Sequence, residues 1–141
     1  MTKNRNSHGE YILDTSMLSE NILIAQLTGS WNLETAREEI AEMLVISEKL
    51  KQFKWGILID MREWEICTPE VMEYFNSSVE KFTERNFRVQ AVLLKMSMQK
   101  MVIAGYESKA NESDNILTTQ YFNDYNLAFD WLLERVKTLN Q

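Results

Sequence analysis

Trp55-Gly56-Ile57-Leu58-Ile59 is an unbroken apolar run that ends abruptly at Asp60. A run of that kind reads as a strand covered on both faces, the usual state of a strand inside a parallel sheet. It demands helices above and below it, and the flanking sequence provides them. Before it, Ala36, Ile40, Met43, Leu44, Ser47 and Leu50 recur at three- and four-residue steps, while Arg37, Glu38, Glu42, Glu48, Lys49 and Lys51 mostly fall off that stripe. Asn32 or Ser30 is placed to cap this helix, and Glu34, Glu38 and Glu39 set negative charge near the positive end of its dipole. After the run, Thr68-Pro69-Glu70 opens a second helix, with Thr as N-cap, Pro in the first turn and Glu70 complementing the dipole. Met72, Phe75, Val79 and Phe82 are its expected buried stripe, and Asn86 its stop.

The same reading extends to both ends. Residues 11–18 and 22–28 are short apolar stretches separated by Ser19-Glu20-Asn21, which predicts an antiparallel hairpin. Leu23, Ala25 and Leu27 alternate with Ile22, Ile24 and Gln26, so the second of these strands is expected inside the sheet. Residues 87–96 form a further strand, with Val89, Ala91 and Leu93 on one face and Val92 and Leu94 on the other. A shorter helix is expected over 98–109, a loop over 111–115 and a last strand over 116–122. Asp124 or Asn123 then caps a final helix carrying Ala128, Trp131, Leu132, Val136 and Leu139. The predicted order is β-β-α-β-α-β-α-β-α, an α/β domain with an open, mostly parallel sheet, an N-terminal β-hairpin and about four helices. Residues 1–10 are expected as a disordered tail and 11–141 as a single domain.

Composition narrows the chemistry. A chain of 141 residues with a 45% hydrophobic and 26% charged content is an ordinary globular domain. The single cysteine, Cys67, rules out an internal disulfide framework, and the single histidine, His8, lies in the polar N-terminal stretch. A buried Ser–His–Asp or Cys–His site is therefore not expected. A net charge of −6 opposes binding to nucleic acid and to anionic membranes. No secretory leader and no membrane-spanning run are read, so a cytoplasmic location is expected. Dinucleotide, P-loop, zinc-protease and nucleophile-elbow motifs are all missing. No enzyme activity, cofactor or metal is expected.

The segment 60–68 gathers Asp60, Arg62, Glu63, Trp64, Glu65, Cys67 and Thr68, at the strand end where open α/β sheets meet ligands. Asp60, Arg62, Trp64 and Thr68 are the candidate binding residues. Asp60, Glu63 and Glu65 also admit a reading as acid/base carboxylates, although Arg62 beside them works against a raised pKa. Trp64 is either an exposed anchor for a partner or a plug folded back on the core. Trp31, in a second predicted loop, admits the same two readings. Met96, Met98 and Met101 fit either an adaptable apolar surface or core filling. With only Asp14 charged between 11 and 18, that strand is a candidate edge for homodimer contact.

Three segments together resemble SpoIIAA-like domains, the relatives of STAS domains (sulfate transporter and anti-sigma factor antagonist). They are Leu27-Thr-Gly-Ser-Trp-Asn32, Ile57-Leu-Ile-Asp-Met61 followed by Thr68-Pro69-Glu70, and Tyr121-Phe-Asn-Asp-Tyr-Asn-Leu-Ala-Phe-Asp-Trp-Leu132. The resemblance implies a SpoIIAA-like fold and a regulatory module that binds a protein partner. In anti-sigma factor antagonists a serine at the start of the helix after the Asp-ended strand is phosphorylated. Here Thr68-Pro69 stands where that pattern has Asp-Ser, and Cys67 precedes it instead of an acid. Thr68 is left as the possible phosphosite, or as a helix cap alone. The alternative implied function is a carrier of a small apolar ligand, such as a lipid, of the CRAL-TRIO-like kind. That would require a closed apolar pocket of several hundred Å3.

Overall fold

The computed structural model describes residues 2–6, 9–65, 68–95 and 116–141. The helix predicted over 98–109, the loop over 111–115, and His8, Cys67, Met96, Met98 and Met101 lie outside the described residues. Six strands form one sheet in sequential order: β1 (Thr2–Asn6), β2 (Gly9–Asp14), β3 (Ile22–Gly29), β4 (Trp55–Trp64), β5 (Phe87–Leu93) and β6 (Thr118–Phe122). The pairs β1–β2 and β2–β3 are antiparallel, and β3–β4, β4–β5 and β5–β6 are parallel. Three α-helices among the described residues accompany it: α1 (Leu33–Leu50), α2 (Pro69–Thr83) and α3 (Tyr125–Leu139).

Strand β4 has the buried character its sequence requires. On one face Leu23, Ala25, Leu27, Trp55, Ile57 and Met61 pack with Ala36, Ile40, Met43 and Leu50 of α1 and with Val71 and Phe82 of α2. On the other, Ile22, Leu58, Val89, Ala91 and Leu93 pack with Ala128, Leu132 and Val136 of α3. Gly56 sets how closely α3 approaches, because a Cβ there would stand 2.7 Å from both Leu132 Cδ1 and Val89 Cγ1. Helix starts are fixed as expected: the Asn32 side chain accepts the Thr35 N–H at 2.9 Å, and Asp124 Oδ1 accepts the Leu127 N–H at 3.0 Å. Asn86 ends the α2 connection in the left-handed region at φ 71°.

Four expectations need correction. The residues expected as a tail include strand β1, which pairs with β2 from Thr2↔Leu13 to Asn6↔Gly9. Strand β2 is therefore interior, with Tyr11 and Leu13 fully buried, and is not the exposed edge proposed for homodimer contact. On α2 the fully buried positions are Val71, Ser78 and Phe82, whereas Met72, Phe75 and Val79 are only half-buried. Finally, Trp131 is half-buried; it packs on Phe122 at 5.6 Å between ring centroids and carries the Arg135 guanidinium over its face at 5.6 Å.

Candidate functional site

The carboxyl end of β4 is built around an irregularity in its pairing. Gln26 pairs with Asp60, but Thr28 pairs with Glu63, so β4 holds one more residue than β3 across this step. The extra residue shifts the alternation of side chains. Ile57 and Met61 reach the α1–α2 face at odd positions, and after the shift Trp64 takes that face in place of Glu63. What the sequence presents as a polar loop is continuous strand to Trp64.

Asp60 secures this bulge. Its Oδ1 accepts the Arg62 backbone N–H at 3.1 Å and Nε at 3.0 Å, and its Oδ2 accepts Nη2 at 2.8 Å. The carboxylate thus ties down both the backbone and the guanidinium two residues on, in a bidentate, charge-assisted contact. The Arg62 side chain keeps 38% of its surface in solvent while that of Asp60 keeps 10%. Hydrogen bonding to Asp60 raises the Arg62 pKa above its ordinary value against the opposing effect of burial, with the charges of Asp60, Glu63 and Asp124 adding to the rise. The field reaches the start of α3: burial, then the charges of Asp14 and Asp60, raise the Tyr125 phenol, and Arg62 opposes them. Asp14, Asp124 and Tyr125 were not legible as members of this cluster, because they come from three separate chain positions.

The remaining nominated residues scatter. Glu63 is exposed and stands 3.8 Å from Lys95 Nζ, a contact worth little in solvent. Glu65 accepts a hydrogen bond from the Ser30 hydroxyl. No pair of acids converges among Asp60, Glu63 and Glu65, since Asp60 is committed to Arg62 and the other two are exposed. Thr68 occupies the N-cap position of α2 with an exposed side chain, yet its hydroxyl makes no capping hydrogen bond. Its carbonyl accepts the Val71 and Met72 N–H groups. The hydroxyl is thus presented to solvent at the carboxyl end of β4 rather than spent on the helix.

Trp64 is no surface anchor. It is 3% exposed, edge-on to Trp31 at 6.3 Å and 82°, and 6.1 Å from Phe75. Trp31, expected in a second loop, is also 3% exposed and lies between Tyr11, Trp64 and Phe75. Its indole N–H donates to the Thr28 carbonyl at 3.0 Å, whereas the buried Trp64 Nε1 has no hydrogen-bond partner among the described residues. The two indoles close one end of the core.

Beneath them, between the sheet and the pair α1–α2, lies a cavity of about 70 Å3 whose walls include Leu27, Ile57, Phe75, Val79 and Phe82. Glu39 also lines it, at 3% exposure. Burial, with a further push from the neighbouring Glu42 carboxylate, raises the Glu39 pKa to about 8. Sequence reasoning placed Glu39 only among the acids that complement the dipole at the start of the first helix. Its position beside Ile40 and four residues before Met43 puts it at the margin of the apolar stripe, which is the signal that identifies it.

No family model matches the chain, and no curated protein matches it. Solved structures do. An uncharacterized protein of the DUF3478 family with a SpoIIAA-like fold, from Shewanella loihica, superposes with a TM-score of 0.67 at 17% identity, over 92% of this chain and 98% of that one. An anti-sigma factor antagonist from Mycobacterium paratuberculosis superposes with a TM-score of 0.59 at 9% identity, over 86% of this chain and 92% of that one. The chain therefore has a SpoIIAA-like fold, as its three segments implied. Among the described residues, no helix is long and apolar enough to cross a membrane.

Proposed function

We propose that the protein is a regulatory, non-enzymatic interaction module that docks a protein partner at the carboxyl end of β4 and the start of α2. The observation that carries this reading is the Thr68 hydroxyl, exposed and without a capping bond at that end of the sheet. Beside it in sequence stand the exposed Glu63, Glu65 and Glu70, and the Arg62 guanidinium held by Asp60. Charged side chains at a surface set partner choice and approach rate more than affinity. The fold likeness to an anti-sigma factor antagonist, a protein that opposes another protein, supports the same role. The commitment of Asp60 to Arg62 supports a binding surface over an acid/base site, and a reducing, cytoplasmic setting suits the lone thiol.

Thr68 is also the residue we assign as the modification site. A phosphate there would add roughly −2 charge to the start of α2. The dipole favours that charge, while Pro69, with no N–H, and the adjacent Glu70 weaken the cradle. Among the described residues the lipid-carrier alternative finds no comparable support, since the cavity of about 70 Å3 is far below the several hundred Å3 typical of ligand sites.

Affinity capture under native expression tests the reading, with wild type run beside Thr68→Glu and Glu70→Lys. Both positions are exposed, so both variants should fold. A protein enriched by wild type and lost with either variant is the expected result. Capture of nothing above background, or of the same proteins by all three chains, would overturn the proposal.

A further inference from the structure

We propose that the cavity between α1, α2 and the sheet is a binding site for a small apolar molecule carrying one basic nitrogen, with Glu39 as its counter-ion. This is independent of partner docking at the carboxyl end of β4.

Size and lining come first. A buried water occupies on the order of 10–15 Å3 on the same measure, so 70 Å3 has room for about five non-hydrogen atoms. The walls are almost wholly aliphatic and aromatic, the kind of surface that takes an apolar guest more readily than water. Ile59 and Met61 of β4 and Phe75, Val79 and Phe82 of α2 offer no polar group. Gln90 of β5 also lines the space, but its amide already donates to Thr119 Oγ1 at 2.9 Å.

Charge then selects the guest. The Glu39 carboxyl is nine-tenths buried and more, on the cavity wall. One turn on, Glu42 Oε2 is buried with no hydrogen-bond partner among the described residues. A polar group left in that state is costly unless something arrives to satisfy it. No Lys, Arg or His is among the lining residues, so the acid on the wall, Glu39, and Glu42 acting on it from behind set the sign of charge the cavity favours. That field repels a carboxylate or phosphate and attracts a cation. A neutral alcohol would satisfy a hydrogen bond but would do nothing to stabilise the ionised form of Glu39, which burial and Glu42 disfavour. An ammonium group pairs with the ionised carboxylate, and its short alkyl chain fills the remaining volume.

The proton balance gives a signature. The empty site holds its proton at neutral pH, since Glu39 titrates near 8 and no titratable group faces it from α2, β3, β4 or β5 among the lining residues. An alkyl amine, like a lysine side chain, stays protonated to about pH 10. Forming the ion pair therefore expels the carboxyl proton to solvent. Affinity should rise close to tenfold per pH unit up to about 8 and then level.

Titration calorimetry with n-butylamine, n-butanol and butyrate at pH 6, 7 and 8 tests the assignment, on the whole chain and on Glu39→Gln. The isosteric variant keeps the cavity's shape, and circular dichroism checks that it folds. Expected results are butylamine binding at least tenfold tighter than butanol at pH 8, no butyrate binding, and release of nearly one proton per amine at pH 7. The amine preference and the proton release should vanish in Glu39→Gln. Butanol binding as tightly as butylamine, an unchanged amine affinity in Glu39→Gln, or no binding of any probe to the folded wild type would each overturn the proposal.

Discussion

Trp64→Ala distinguishes a core plug from a surface anchor by magnitude. Trp64 is 3% exposed, and truncation of a buried Trp to Ala costs about 3–5 kcal/mol through lost transfer energy and the cavity left behind. Two terms modify this in opposite directions. The ring contacts to Trp31 and Phe75 add about 1–3 kcal/mol between them beyond area burial. Deleting an indole N–H that has no acceptor returns about 1–3 kcal/mol of desolvation cost. The two largely offset, so the expected loss stays at about 3–5 kcal/mol, a large share of the 5–15 kcal/mol typical of a domain. Trp64→Phe separates the terms further. It keeps a ring against Trp31 and Phe75 and removes the unpaired N–H, so its cost should stay below about 1.5 kcal/mol. Urea unfolding followed by far-ultraviolet circular dichroism avoids reading the fluorophore that is being removed, and an unchanged m-value keeps the comparison two-state. A loss under about 1 kcal/mol for Trp64→Ala would refute burial of the indole. A cost for Trp64→Phe well above about 1.5 kcal/mol would refute the unpaired N–H.

Two further changes probe the same region. Glu39 keeps its proton to about pH 8 in the folded chain but releases it near 4.5 when unfolded, so the stability it contributes is fully present below about pH 4.5. That contribution falls as pH rises from 4.5 towards 8, by at most about 1.4 kcal/mol per pH unit, and levels above 8. In Glu39→Gln this slope should disappear, leaving the variant more stable than wild type at pH 8; urea midpoints at pH 5.5, 6.5 and 8 would show it, and parallel profiles would contradict burial of the carboxyl. Asp60→Ala removes the acceptor of three hydrogen bonds from Arg62 and should cost about 1–3 kcal/mol, towards the lower end because the guanidinium is partly hydrated. Thermal unfolding midpoints equal to wild type would show that Asp60 does not hold the bulge.

Local spacing determined much of this molecule. The continuous apolar run at Trp55–Ile59 required a strand covered on both faces, and β4 is one. Alternation correctly divided Val89, Ala91 and Leu93 from Val92 and Leu94, because side chains on a strand switch faces at every residue whatever the surroundings. The Asn32 and Asp124 caps were legible for the same reason, since a capping bond reaches only to residues a few positions along.

Tertiary structure decided the rest. Thr2–Asn6 has no apolar pattern, and it becomes a strand through backbone hydrogen bonds to β2 that its side chains do not announce. Polar side chains are what a sheet edge tolerates, so the edge reads as a tail. The bulge at Arg62 depends on how β4 meets β3, and that single added residue turns Trp64 inward and makes Asp60 a backbone anchor. Glu39 sits at the margin of a helical stripe, where spacing alone leaves its environment open. It is buried on the wall of the cavity enclosed by α1, α2 and the sheet, and only the partner surface determines which marginal residue loses its water.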